Sequence, residues 1–187
     1  MIDHPERSDD RDSAIDALLA HVPFDGWTVT GLRRALAEIG QHPDDALLLF
    51  PDGAADMVAA FCDLADRRMA TDATDLALAA SRLPDRVRAV VAARLTRHRP
   101  HKEAVRRAMA VLALPQNAVT AAACTARTVD AIWHAAGITS CWIDRRAGRP
   151  GGATPSPTGI PGYAWRFASL AELVTAHRTA LSGSTPG

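Results

Sequence analysis

The sequence has no excess of either charge. Lys and Arg together number 21, as do Asp and Glu, so the formal net charge is zero. A nucleic-acid binder carries a basic excess on at least one face, and these totals ask for no polyanionic partner. Cysteine is scarce: Cys62, Cys124 and Cys141 are odd in number and far apart. That excludes a disulfide framework and a clustered zinc site, and predicts reduced thiols. No apolar run approaches the ~18 residues of a membrane span. The opening MIDHPERSDDRD is charged and has no apolar centre, so no secretory leader is expected. The chain also lacks a Walker lysine loop, a dinucleotide glycine fingerprint and a Gly-x-Ser-x-Gly elbow. It is therefore expected to be no enzyme and to need no cofactor or metal.

What is present is helical periodicity. Ile15, Leu18, Leu19 and Val22 recur at i, i+3, i+4 and i+7, one buried stripe. Asp12 or Ser13 is placed to cap that helix, and Pro23 helps to end it. Thr28 is an N-cap for a second helix with Val29, Leu32, Leu36 and Ile39 inward, and Gly40 sits where a C-terminal glycine belongs. A short third helix starts near Pro43 and runs to Phe50. A longer one follows Gly53 with Met57, Phe61 and Leu64 on its stripe. Pro84 and Asp85 open a helix with Val87, Val90, Val91 and Leu95 on one face. Pro100 interrupts, and the next helix carries Val105, Ala108, Met109 and Leu112. Asn117 caps a last helix bearing Val129, Ile132, Trp133 and Ala136, closed by Gly137. The expected fold is all-α, a TetR-like bundle with a helix-turn-helix-like N-terminal part. Residues 1–11 are expected to be disordered, 12–140 to form the helical domain, and 141–187 to be a largely irregular tail with a helix over 165–181.

Three short helices and then a longer one is the pattern of a TetR-type DNA-binding regulator. A recognition helix, however, needs Arg, Lys, Asn or Gln for phosphates and base edges. The corresponding segment reads QHPDDALLLF, where Asp44 and Asp45 repel the phosphate backbone. The helix-turn-helix shape is therefore read as scaffold, with no nucleic acid expected as a partner.

A second similarity rests on the run from Leu114-Pro115-Gln116-Asn117 to Val129-Asp130-Ala131-Ile132-Trp133-His134-Ala135-Ala136-Gly137. It resembles the signature of coenzyme Q protein nine, the lipid-binding accessory family of ubiquinone biosynthesis. Phe24-Asp25-Gly26-Trp27-Thr28 and the break at Arg99-Pro100-His101 are similar too, and the resemblance covers about residues 12–138. The signature positions are Trp27, Pro115, Asn117, Asp130, Trp133, His134 and Gly137.

The resemblance implies a TetR-like fold that binds isoprenoid quinone intermediates or other lipids. Such a protein presents them to a pathway hydroxylase, performs no chemistry itself and forms a homodimer. It also implies a cytoplasmic chain, peripheral at the inner face of a bacterial membrane. Met109, Leu112, Leu114, Val129, Ile132 and Trp133 are the expected lipid-contacting side chains. After Gly137 the chain departs from the family, and Arg145–Gly162 turns rich in Arg, Gly and Pro, the composition of a GC-rich gene read out of frame.

Other residues have plainer readings. Trp133 on its stripe is expected to pack in the core. Asp130 and His134, one turn apart, are expected to touch. His98, His101 and Glu103 flank a helix break, so their directions are not fixed together as a zinc site requires. Arg86, Arg88, Arg94, Arg97, Arg99, Lys102, Arg106 and Arg107 make a basic region that suits a solvated helix face or an anionic membrane surface.

Overall fold

The computed structural model describes residues 5–76, 78, 81–138, 140–143 and 163–182. Residues 3–137 form one unit, and 138–187 belong to a second. The first unit is all-α. Helix α1 (Asp9–Asp25) starts earlier than the sequence pattern suggested, and its cap is Ser8 rather than Asp12 or Ser13. The Ser8 hydroxyl accepts the Arg11 amide at 3.1 Å, and Asp9, Asp10 and Asp12 lie in the first turn, where the helix dipole favours carboxylates.

Residues 5–11 are consequently tied down rather than disordered. Arg7 grips Asp63 at 2.6 and 2.9 Å. The buried Arg11 pairs with Asp56 at 2.5 Å and lies 4.4 Å above the Phe50 ring. Residues 1–4 are outside the described part. Pro23 does not end α1. It sits in the last turn, where its missing N–H costs one bond, and the helix stops at Gly26 with φ +71°.

Thr28 caps α2 (Val29–Glu38) by accepting the Gly31 amide at 3.1 Å, and Gly40 takes the expected left-handed turn at φ +76°. A 3-10 turn, Pro43–Asp45, leads into the single-turn α3 (Ala46–Leu49). Then come α4 (Ala54–Thr74), α5 (Leu83–His98), a 3-10 turn at Arg99–His101, α6 (Lys102–Leu112), a 3-10 turn at Pro115–Asn117, and α7 (Ala118–Ala135). The order of helices follows the expected one, except that α1, at 17 residues, is not short beside the 21-residue α4. The core collects Ile15, Leu18 and Val22 of α1, Leu32 and Leu36 of α2, Phe50, and Met57, Val58, Phe61 and Leu64 of α4. Each of the larger aliphatic side chains contributes about 1.5–3 kcal/mol by leaving water.

Two expectations about packing fail. On α5 only Val90 is fully buried, while Leu95 stands 66% exposed. On α7 the buried residues are Cys124 and Arg127, and Val129 and Trp133 are exposed, Trp133 by 45%. Trp133 is therefore not a core side chain. The periodicity does produce a helix, but the face that α7 turns to its neighbours carries Cys124 and Arg127. Asn117 also differs: its amide donates to the Val111 carbonyl at 2.8 Å, closing the end of α6, and makes no side-chain bond at the start of α7.

The second unit corrects the absence of strands. Strands β1 (Ser140–Ile143) and β2 (Tyr163–Phe167) pair in parallel, with a register irregularity between Ser140 and Cys141. Both are rich in aromatic and β-branched residues, which suit strands, but are too short to show a period-2 pattern. Helix α8 spans Leu170–Ser182, so the helix expected over 165–181 begins later and residues 165–167 are strand. Ser169 caps it, accepting the Glu172 amide at 3.1 Å while Glu172 accepts the Ala168 amide at 2.7 Å. The irregular tail expected over 144–162 and 183–187 lies outside the described residues. Among the described residues, no single helix is long and apolar enough to cross a membrane.

Candidate functional site

The Pro100 corner creates the candidate site. Proline has no amide to donate and blocks a continuous helix, so α5 and α6 join through the Arg99–His101 turn instead of running on. A cavity of about 300 Å³ lies in the angle, walled by α4, α5 and α6. Phe61 and Ala65 come from α4, Leu95 from α5, and Val105, Met109 and Leu112 from α6. Cys62, Arg94, His98, Arg99 and Lys102 complete the lining together with Ala108, and no carboxylate is among the lining residues.

An aromatic ladder fixes the wall. The Trp27 indole N–H donates to the Ala104 carbonyl at 3.1 Å, and its ring lies 5.2 Å from that of Phe61. Phe61 in turn meets the His98 imidazole edge to face, centroids 5.2 Å apart at 77°. Both His98 ring nitrogens are shielded from water, and neither has a hydrogen-bond partner among the described residues. Burial, reinforced by the positive charges of Arg94, His101, Arg97 and Arg68, pulls the His98 pKa down to about 4. At neutral pH the ring is thus uncharged, one nitrogen a donor and the other an acceptor.

Behind the cavity lies a buried polar cluster. Arg94 pairs with Asp66, which also accepts the Thr128 hydroxyl at 3.0 Å. Burial raises the Asp66 pKa, partly offset by Arg94 and by the Thr128 hydrogen bond. Beside it the thiols of Cys62 and Cys124 are hydrogen-bonded to each other, and Arg127 donates to the Cys124 sulfur at 3.3 Å. The shared hydrogen bond, then burial, pushes the Cys62 thiol far up. The same bond, helped by Arg127, draws Cys124 down to about 7 against the effect of burial.

Of the six expected lipid-contacting residues, the structure brings two to this cavity. Leu112 lines it half-buried, and Met109 lines its mouth, 63% exposed. Leu114 is exposed beyond the end of α6, and Val129, Ile132 and Trp133 of α7 do not line the cavity. Of the residues that carry the resemblance, Trp27 is buried against Phe61, Pro115 opens a 3-10 turn, Asn117 closes α6, Trp133 is exposed, and His134 contacts Asp130 at 3.4 Å, as its spacing predicts. The Gly137 amide donates to His134.

Sequence reasoning missed Phe61, Leu95, His98, Arg99 and Lys102 as neighbours in one site. The signal that pointed to them was Pro100, which marks the corner but not the helix packed against it. His98, His101 and Glu103 do not converge, because Glu103 is held by Arg106 at 2.7 Å and Arg107 at 2.9 Å.

A second cleft of about 340 Å³ between α4 and α7 is lined by Asp52, Asp56, Thr120 and Arg127 together with small alanines, a more polar site. No protein-family model matches the chain, and no curated protein matches it.

Proposed function

We propose that the chain is a non-catalytic lipid carrier, one that holds isoprenoid quinone intermediates and presents them to a hydroxylase partner at a membrane surface. The observation that carries this reading is the cavity at the Pro100 corner, whose walls are Phe61, Leu95, Val105, Met109 and Leu112. Apolar walls with a few converging polar groups are what a small apolar ligand needs. Leu95 and Met109 stand exposed at its edge, where an apolar chain gains most by covering them. The resemblance to the coenzyme Q protein nine family supplies the class of lipid and the partner. Mass spectrometry of lipids extracted from the purified chain, beside delipidated albumin, tests the reading. An enriched isoprenoid quinone or precursor supports it.

A TetR-type DNA-binding regulator is the second reading, favoured by the helix order alone. Against it, the exposed side chains of α3 are Leu47 and Leu48, Leu48 by 79%, and Arg33 beside them is 3.5 Å from Asp44. Leucine and paired charge make poor contacts to phosphates. Duplex DNA binding with a steep salt dependence would favour the regulator.

A further inference from the structure

We propose that the cavity between α4, α5 and α6 selects a single-chain amphiphile with an anionic head, the head seated at the Pro100 corner on Arg99 and Lys102 and the chain lying along Leu95, Val105 and Met109. The inference rests on the lipid-carrier reading but not on the quinone class, since a quinone ring carries no charge, and it adds an ionised head.

Most cations of α5 and α6 are matched. Along α5 and α6, Arg88 meets Asp85 at 2.6 Å, Arg97 meets Asp72 at 2.7 Å, and Arg106 and Arg107 share Glu103. Arg94, on the cavity wall, is held by Asp66. Arg99 and Lys102 line the same cavity, yet neither has a carboxylate partner among the described residues. No Asp or Glu lines the cavity to neutralise them. The rim is therefore net positive in a chain whose total charge is zero, and a cationic head is repelled there.

Hydrogen bonds from Arg99 and Lys102 to an ionised head-group oxygen are roughly twice as strong as those between neutral groups. The apolar side chains then set the tail. At about 300 Å³ the cavity lies at the small end of the ligand-pocket range of roughly 300–1,000 Å³, which suits one chain rather than two.

The test is calorimetric titration of the delipidated full chain, shown to be helical by circular dichroism, with dodecanoate, dodecyl phosphate, dodecanol and dodecyltrimethylammonium below their micelle concentrations. The expected result is that at least one anion binds about tenfold or more tighter than the alcohol, the scale of one charge-assisted hydrogen bond, and that the quaternary ammonium binds least. Whichever anion is preferred identifies the head as carboxylate or phosphate. In an Arg99→Gln/Lys102→Gln variant, which changes exposed rim residues, the anion should lose its advantage while dodecanol binds as before. Equal binding of anion and alcohol by the unaltered chain would overturn the inference and leave the lipid-carrier reading standing. Binding of none of the four probes, nor of a short prenylated quinone, would overturn both.

Discussion

The His98 imidazole meets the Phe61 ring edge to face, centroids 5.2 Å apart, and its nitrogens have no hydrogen-bond partner among the described residues. This contact couples the cavity to the core, because Phe61 also leans on Trp27, and it makes the fold sensitive to acid. Unfolded, the ring takes a proton near its ordinary 6.5; folded, it does so near 4. Between these values the unfolded chain holds more protons, so lowering the pH favours unfolding. Stability should fall by on the order of 2 kcal/mol between pH 6.5 and 4, allowing for the ring's partial exposure. Urea melts of the chain and of His98→Asn across that window check it. The variant should show a clearly smaller drop, and parallel curves would remove His98 as the cause.

Asp66 and Arg94 form a buried ion pair at the back of the cavity. Removing one partner of such a pair leaves the other charge unmatched at a cost of about 3–5 kcal/mol. Arg94→Leu should therefore destabilise the chain by about that much at neutral pH. Arg94→Leu/Asp66→Asn should be more stable than Arg94→Leu alone. Equal losses in the two variants would mean that the cost lies in packing rather than in charge.

The hydrogen-bonded thiols Cys62 and Cys124 bridge α4 and α7. A mild oxidant such as diamide is expected to join them into one intramolecular disulfide in a Cys141→Ser background. Intact-mass analysis after alkylation in urea reads the result: a monomer with no alkylatable thiol is expected. A monomer that still takes up the alkylating agent at both cysteines would mean that the sulfurs do not approach closely enough to react.

The face of α3 predicts weak DNA binding. With Leu47 and Leu48 outward and Asp44 beside Arg33, a mobility shift on random duplex should appear only at low salt, if at all. A retained, sequence-selective shift at physiological salt would favour the regulator reading.

The helices and several of their ends were legible because their signals are local, although α1 is capped by Ser8 and Asn117 makes no cap for α7. Thr28, Gly40 and Gly53 stand at the helix ends they mark, and the α1 stripe packs as its spacing predicts. Burial on α5 and α7 was less legible, since Leu95 and Trp133 fit the helical period but what covers a face depends on which helix lies against it. Strands β1 and β2 pair across a separation of about twenty residues, and nothing local encodes that pairing. The cavity was legible in part: Met109 and Leu112 were expected to touch lipid, but Phe61 reaches it from α4, some forty residues earlier in the sequence.

The central claim is that the α4–α5–α6 cavity holds lipid. Its most direct test compares lipid recovered by mass spectrometry from the unaltered chain, from Leu95→Asp and from Leu114→Asp. Both leucines are exposed, so neither change empties the core, but only Leu95 lines the cavity. The account predicts bound lipid in the unaltered chain and in Leu114→Asp, and its loss from Leu95→Asp, where a carboxylate faces the apolar tail. Equal recovery from all three, or none from a folded, helical unaltered chain, would contradict it.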